Sequence, residues 1–123
     1  MNFKIDTREK FTVITPLSDF LYDNLTAEFL KLSHSFIEKR INLVINFKNV
    51  NTINEHLIEQ IAALQEEFYQ KNLSFVLCDI RKNVLNVITE LELDEILNIA
   101  PSETEAWDIV QMEEVERELL GDE

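Results

Sequence analysis

The chain has 123 residues, of which 46% are hydrophobic and 28% are charged, and its formal net charge is −13. With one glycine and two prolines, this balance suits one folded domain and excludes collagen-like and disordered classes. Because nucleic acid is bound through clustered Lys and Arg, the acidic charge predicts no nucleic-acid partner.

The sequence also bears on location and redox chemistry. No apolar run approaches the ~20 residues that a membrane-spanning helix needs, so we expect no membrane insertion. The first ten residues, MNFKIDTREK, lack the apolar stretch of a signal peptide. The lone cysteine, Cys78, excludes an internal disulfide and a cysteine-based zinc site. These features predict a cytoplasmic protein.

The first third of the chain predicts two strands and a helix. Residues 2–9 and 11–17 alternate apolar and polar side chains, as an antiparallel pair of half-exposed strands would. Pro16 ends ladder pairing on the second strand, because proline has no N–H to donate. An apolar stripe at helical spacing then predicts an amphipathic helix over about 24–40.

The middle of the chain repeats a strand–helix pattern. The run NLVINF (42–47) consists mainly of aliphatic and β-branched residues, which is typical of a strand covered on both faces. A second helical stripe follows over about 55–70 and breaks at Lys71–Asn72. LSFVLCDI (73–80) then predicts a second covered strand.

The last third predicts a short helix, a short strand and a long helix. Val84, Ile88 and Leu91 mark the short helix, and ILNIA (96–100) reads as a strand that Pro101 stops. Ser102 and Glu105 have the spacing of a capping box that starts the last helix. The inward face of that helix is expected to consist of Ala106, Ile109 and Val110.

The resulting order, β-β-α-β-α-β-α-β-α, predicts an α/β fold. Successive strand–helix–strand units need right-handed crossovers, so the sheet of about five strands should be mostly parallel, with covering helices. We expect one domain over 1–123, with an acidic helical extension over about 111–123.

The C-terminal segment concentrates the negative charge. From Ser102 to the end there are nine acidic residues and one basic residue. The apolar residues in this segment (Met112, Val115, Leu119 and Leu120) are expected to pack back on the domain, and Gly121 to mark the helix stop. Packing against a second copy, and hence a homodimer, is the alternative.

The segment 48–59 joins a predicted strand to a predicted helix. Ligands of α/β sheets bind beyond the carboxyl ends of strands, near helix N-termini, so this segment is the candidate site. Thr52 and Glu55 have the spacing of a capping box, and Asn54 is the alternative N-cap. A carboxylate in the first turn is also stabilised by the helix dipole. Capping alone could account for Glu55.

Catalysis and metal binding find little support in the sequence. His56 and Glu59 share a helix face, but two ligands do not make a metal site. Cys78 lies in mid-strand, where burial makes a thiol inert. We therefore predict no metal, no cofactor and no enzymatic activity.

Three stretches of the chain resemble the STAS domain, a family named for sulfate transporters and anti-sigma-factor antagonists. They are residues 42–64, 83–99 and 101–110. In the family, an apolar strand typically ends in Asp-Leu-Ser-Gly-Val, and Asp-Ser-Ser-Gly-Leu-Gly then opens a helix. Here NFKNV (46–50) matches the strand end, and Ile53 fills the apolar position before the helix.

The chain departs from the family motif at the regulated position. Relatives commonly carry there a serine or threonine that a kinase-type anti-sigma factor phosphorylates, whereas this chain has Glu55, preceded by Asn54 and followed by His56. The resemblance therefore implies a degenerate phosphorylation-site loop, formed by Thr52, Asn54, Glu55, His56 and Glu59.

The resemblance also implies the class of partner. It predicts a non-enzymatic interaction module of the anti-sigma-factor-antagonist type, whose partner would be an anti-sigma factor or a kinase-like protein. Because the exposed residues of the 55–70 helix are polar and acidic, we expect a basic surface on that partner. A cytoplasmic subunit of a lipid-transport ATPase assembly is the alternative. A nucleotide sensor is a third, which the absence of Gly and Lys from 51–60 disfavours.

Overall fold

The computed structural model describes residues 2–20 and 23–120. Within these ranges the chain forms five strands and four helices, in chain order β1 (Phe3–Thr7), β2 (Phe11–Pro16), α1 (Asp23–Glu38), β3 (Asn42–Asn46), α2 (Glu55–Gln70), β4 (Phe75–Cys78), α3 (Lys82–Glu90), β5 (Ile99–Ala100) and α4 (Glu103–Leu120). The sheet order is β1-β2-β3-β4-β5. Only the β1–β2 pair is antiparallel. The predicted α/β fold with a mostly parallel sheet is confirmed.

Both faces of the sheet are covered, which explains the continuous apolar runs. Along β3, Leu43 and Ile45 join the larger core beneath α1, α2 and α3. Val44 points to the opposite face, where it packs with Val76, Ala106 and residues of a smaller core under α4. Successive side chains of a strand alternate between faces, so a strand covered on both sides needs apolar residues at every position.

The last strand is shorter than predicted. The run 96–100 was expected to form a strand, but only Ile99 and Ala100 pair with β4. The N–H groups of Ile96 and Leu97 both donate to the carbonyl of Leu93, at 3.1 and 2.9 Å, and so form a turn that follows α3. The apolar pattern of 96–100 therefore extends beyond the strand itself.

Three helices end in the left-handed conformation without using glycine. Arg40, Asn72 and Glu92 have φ angles of 59°, 61° and 60°. After α2, for example, the N–H of Leu73 donates to the carbonyl of Phe68 at 2.9 Å, while that of Asn72 donates to Tyr69 at 3.1 Å. This is the Schellman arrangement that usually places glycine in the left-handed position.

The start of α4 confirms Ser102 as a side-chain cap but not the full predicted capping box, because the Glu105 carboxylate pairs with the Ser102 hydroxyl and not with the Ser102 backbone N–H. The backbone N–H of Glu105 donates to the hydroxyl of Ser102 at 3.3 Å, and that hydroxyl donates to the Glu105 carboxylate at 2.9 Å. Ala106 and Val110 are buried under the helix, as predicted, and Ile109 is half-buried.

A polar cluster attaches the second half of α4 to the opposite end of the sheet. The Glu113 carboxylate accepts hydrogen bonds from Tyr69 at 2.8 Å, from Ser74 at 2.5 Å and from Asn98 at 3.2 Å. Burial, and then the adjacent Glu113 carboxylate, raise the pKa of the Tyr69 hydroxyl. Arg117 donates to the Ser74 hydroxyl at 3.1 Å, so the basic side chain of α4 faces the sheet.

The apolar residues of the C-terminal segment do not pack back on the domain, so that prediction is wrong. Met112, Val115, Leu119 and Leu120 are all exposed. For Met112, Val115 and Leu119 the physical reason is helical phase, because Ala106, Val110, Glu113 and Arg117 occupy the sheet-facing side of α4. Leu120 shares the phase of Glu113 and Arg117 and is exposed at the last residue of α4. The expected stop at Gly121 lies outside the described residues.

Candidate partner-binding site

The segment 48–59 lies where the sequence predicted it, at the carboxyl end of β3 and the N-terminus of α2. Asn54 is the N-cap: its side-chain oxygen accepts the N–H of Leu57 at 2.7 Å. Thr52 is not the cap. Its backbone N–H donates instead to the Asp19 carboxylate at 3.1 Å. Of the two capping alternatives, the structure therefore supports Asn54.

Neighbouring loops hold this segment from both sides. On one side, the Asp19 carboxylate accepts the N–H groups of Asn51 and Thr52, at 2.5 and 3.1 Å. On the other side, the side chain of Arg81 donates to the carbonyl of Lys48 at 2.6 Å. Because charge-assisted hydrogen bonds of this kind are stronger than neutral ones, they fix the backbone conformation of the segment.

A side-chain cluster beneath the segment fixes its first residues. The Asn46 amide donates to the carboxylates of Asp79 and Glu103, at 3.0 and 3.1 Å. Its oxygen accepts the N–H of Lys48 at 2.9 Å. Asn46 is buried, and its amide has one N–H for each carboxylate. Asp79, at φ 54°, adopts the left-handed conformation, which is unusual for a non-glycine residue.

The charged residues of the site face solvent. Glu55, His56 and Glu59 are all exposed, and Glu55 is the first residue of α2. His56 Nδ1 lies 4.0 Å from Glu59 Oε1. Val50 and Ile53 are buried below them and anchor the segment to the core. The structure thus presents the carboxylate of Glu55 at a helix N-terminus, on a fixed loop.

The outer side of α2 extends this acidic surface. Glu66, Glu67 and Gln70 are exposed, in agreement with the polar and acidic outer face predicted for this helix, whereas Gln60 is half-buried. The Glu67 carboxylate lies 3.0 Å from Nε2 of His34 on α1 and so contacts the neighbouring helix. The surface that starts at Glu55 is therefore polar and predominantly negative.

The described residues offer little for metal or thiol chemistry. Among residues 2–20 and 23–120, no group of three or more His, Cys, Asp or Glu side chains could hold a metal ion. Cys78 is buried in β4, and this burial, together with the Asp79 and Glu103 carboxylates, raises the pKa of its thiol. In the same part of the chain, no helix is both long and apolar enough to cross a membrane.

Sequence reasoning missed four residues that shape the site: Asp19, Asn46, Asp79 and Arg81. Each follows or ends a strand at the same edge of the sheet, or lies in a loop close to that edge. Polar residues at the carboxyl ends of neighbouring parallel strands are the signal that could have indicated Asn46 and Asp79 together.

The chain matches one known family and resembles several solved structures. The family model described as STAS domain matches residues 2–106. A candidate anti-sigma factor antagonist from Thermotoga maritima has a similar structure, with a TM-score of 0.79 at 20% identity; the match covers 89% of this chain and 94% of that one. No curated protein sequence matches the chain significantly.

Two further solved structures have this fold. SpoIIAA, an anti-sigma factor antagonist in its unphosphorylated form, has a TM-score of 0.73 at 16% identity, and the match covers 89% of this chain and 96% of that one. A serine-to-glutamate variant of RsbS from Moorella thermoacetica has a TM-score of 0.71 at 22% identity, with 90% and 96% covered. At these identities the likeness concerns the fold.

Proposed function

The chain belongs to the STAS domain family, and from this premise we propose that it is a non-enzymatic regulatory module that binds a partner protein through the segment 48–59. The proposed type is the anti-sigma factor antagonist, acting in the cytoplasm. The observation that carries the proposal is the exposed Glu55 carboxylate at the start of α2, on a loop fixed by Asp19 and Arg81.

Glu55 supplies a permanent charge where relatives carry a switchable one. By the motif resemblance, it occupies the position of the serine or threonine that is phosphorylated in other members. A phosphate adds about −1.5 to −2 charge, whereas a glutamate adds about −1 and has no hydroxyl to modify. In support of this, a serine-to-glutamate variant of RsbS has a fold of this type. We propose that regulation proceeds by docking without phosphorylation at this position.

The charge of the site indicates the chemistry of the partner. Glu55 and Glu59 are exposed one helical turn apart, and Glu66 continues the negative surface along α2. A docking surface within a Debye length, about 10 Å at 0.1 M salt, experiences these charges. The partner surface is therefore proposed to be basic.

Affinity capture from lysate of the native cells tests the proposal. The baits are the wild type, Glu55→Ser, Glu55→Lys and, as a charge-matched control, Glu90→Lys at the exposed end of α3. Reversing one charge changes a contact at 4 Å by about 2 kcal/mol in water, which is on the order of thirtyfold in affinity. We expect Glu55→Lys to lose the partner and Glu90→Lys to retain it.

The identity of the captured protein separates the functional alternatives. An anti-sigma factor or a kinase-like regulator supports the proposed type, whereas a subunit of a transport ATPase supports the alternative of a membrane-transport assembly. Equal capture by Glu55→Lys and Glu90→Lys would show that the segment 48–59 is not the docking surface.

A further inference from the structure

The outer face of α4 carries an apolar stripe that nothing in the described chain covers. Met112, Val115 and Leu119 expose 62%, 53% and 77% of their surfaces, respectively. Residues three and four apart share one face of a helix, so these three side chains are contiguous. The stripe lies opposite the buried side of the helix, which Ala106 and Val110 form.

The spacing of the stripe is that of a helix-pairing seam. Steps of three and four residues, as from Met112 to Val115 and on to Leu119, place side chains along a line that a second helix can pack against. The STAS family match ends at residue 106, so the stripe lies on the portion of α4 beyond the matched region. On its opposite side, the same helix is attached to the domain through hydrogen bonds of Glu113 and Arg117 with Ser74.

Charge determines which helix this face fits. Glu116 and Glu118 are exposed and flank the seam on its two sides, and the exposed Asp108 lies at its N-terminal end. Arg117 is the only basic residue of α4, and it is directed at Ser74. In a pair of identical α4 helices, the flanking carboxylates would approach one another, and like charges in such positions disfavour pairing.

We propose that the outer face of α4 docks an amphipathic helix of a partner protein, with apolar residues along the seam and Lys or Arg beside it. Basic side chains next to the partner's apolar residues would face Glu116 and Glu118, so charge complementarity and the apolar contact select the same occupant. This surface is separate from the segment 48–59, and its test does not depend on Glu55.

Binding of a designed peptide tests this inference. The probe is a fluorescein-labelled three-heptad peptide with Leu at the seam positions and Lys on both sides. Its binding is measured by fluorescence anisotropy at about 0.15 M salt, which limits non-specific electrostatic attraction. Two control peptides have, respectively, the same composition in scrambled order and Glu in place of Lys. We expect the basic amphipathic peptide to bind at least about tenfold more tightly than either control.

Variants of the protein locate the binding surface. Val115→Asp places a charge in the seam and should weaken binding by at least about tenfold, whereas Ile96→Asp, at an exposed apolar residue outside α4, should leave it unchanged. Thermal unfolding monitored by circular dichroism checks that both variants fold.

Three results would overturn the inference. The first is equal binding of the ordered and scrambled basic peptides, and the second is equal binding by Val115→Asp and Ile96→Asp. The third is a wild-type dimer in sedimentation velocity that Val115→Asp dissociates, which would assign the stripe to a second copy of the chain.

Discussion

Replacing Asn46 by aspartate is expected to destabilise the fold strongly at neutral pH and only weakly in acid. The Asn46 amide is the group that separates two carboxylates, since it donates to Asp79 at 3.0 Å and to Glu103 at 3.1 Å. Asn46→Asp removes both donated hydrogen bonds when the new group is ionised and one of them when it is protonated, and it adds a third carboxyl group at the same buried position.

The magnitude follows from the two states open to the new carboxyl group. If it ionises, each neighbouring carboxylate repels it by about 4 kcal/mol at 4 Å and an effective dielectric constant of 20. If it stays protonated at pH 7, the cost is about 4 kcal/mol, because its ordinary pKa is about 3.9. Asp79 and Glu103 are only half-buried, so water screens part of the repulsion, and we expect a loss of about 3 kcal/mol.

The stability of the Asn46→Asp variant is expected to depend on pH. In the folded variant the neighbouring carboxylates raise the pKa of the new group, while in the unfolded chain it stays near its ordinary value. The folded state then binds the proton more tightly, so the stability of the variant falls as pH rises from about 4 through the raised pKa, by at most about 1.4 kcal/mol per pH unit.

Urea denaturation at pH 5, 6 and 7 measures this effect, with Asn46→Ala as the control. The control also loses the donated hydrogen bonds but adds no titratable group, so its loss relative to the wild type should not vary with pH in this range. Equal destabilisation of Asn46→Asp at pH 5 and pH 7 would refute the arrangement of Asp79 and Glu103 around the Asn46 amide.

Three further outcomes are expected from other parts of the structure. Asn54→Ala should lower the free energy of unfolding by about 1 kcal/mol through loss of the N-cap, and Thr52→Ala by much less; the reverse order in urea denaturation would contradict the capping assignment. Glu92→Gly should raise the free energy of unfolding by about 0.5–1 kcal/mol, because residue 92 has a φ angle of 60° that glycine adopts without strain, whereas Glu95→Gly should not raise it. A lower free energy of unfolding for Glu92→Gly would contradict the left-handed assignment. Cys78 should react with a thiol reagent only when the protein unfolds, and rapid labelling of the native protein would disprove its burial. Because the raised pKa keeps the folded thiol neutral, the free energy of unfolding should decline as pH rises above about 8.5.

Much of the fold could be predicted because local patterns report which side chains are buried. The apolar run 43–45 of β3 indicated a strand covered on both faces, as observed. The alternation in β1 and β2 predicted two half-exposed strands, which is wrong for β2: this strand lies between β1 and β3 and is buried along its whole length. The contact between Ser102 and Glu105 at the start of α4 was predictable because the two residues are three apart. In each case the interactions lie within one element or follow from the periodicity of that element.

The site and the outer face of α4 depended on distant contacts that local patterns do not contain. Asn46 meets Asp79 and Glu103 only because β3 and β4 pair in one register and α4 starts above them. Val115 likewise faces solvent because Arg117 occupies the sheet-facing side of α4. The sequence does not indicate that the charged residue faces the sheet and the apolar residue faces solvent. Sequence analysis therefore located the segment 48–59 but not the side chains that support it.

Phosphopeptide mapping tests most directly the central claim that the site carries a fixed charge and no covalent switch. The wild type and Glu55→Ser are incubated with ATP and an extract of the native cells, and their intact masses and tryptic peptides 49–71 are compared. We expect the wild-type peptide to remain unmodified, even where the restored serine of the variant gains a phosphate. A phosphate on the wild-type peptide, at Thr52 or elsewhere in the segment 48–59, would contradict the account.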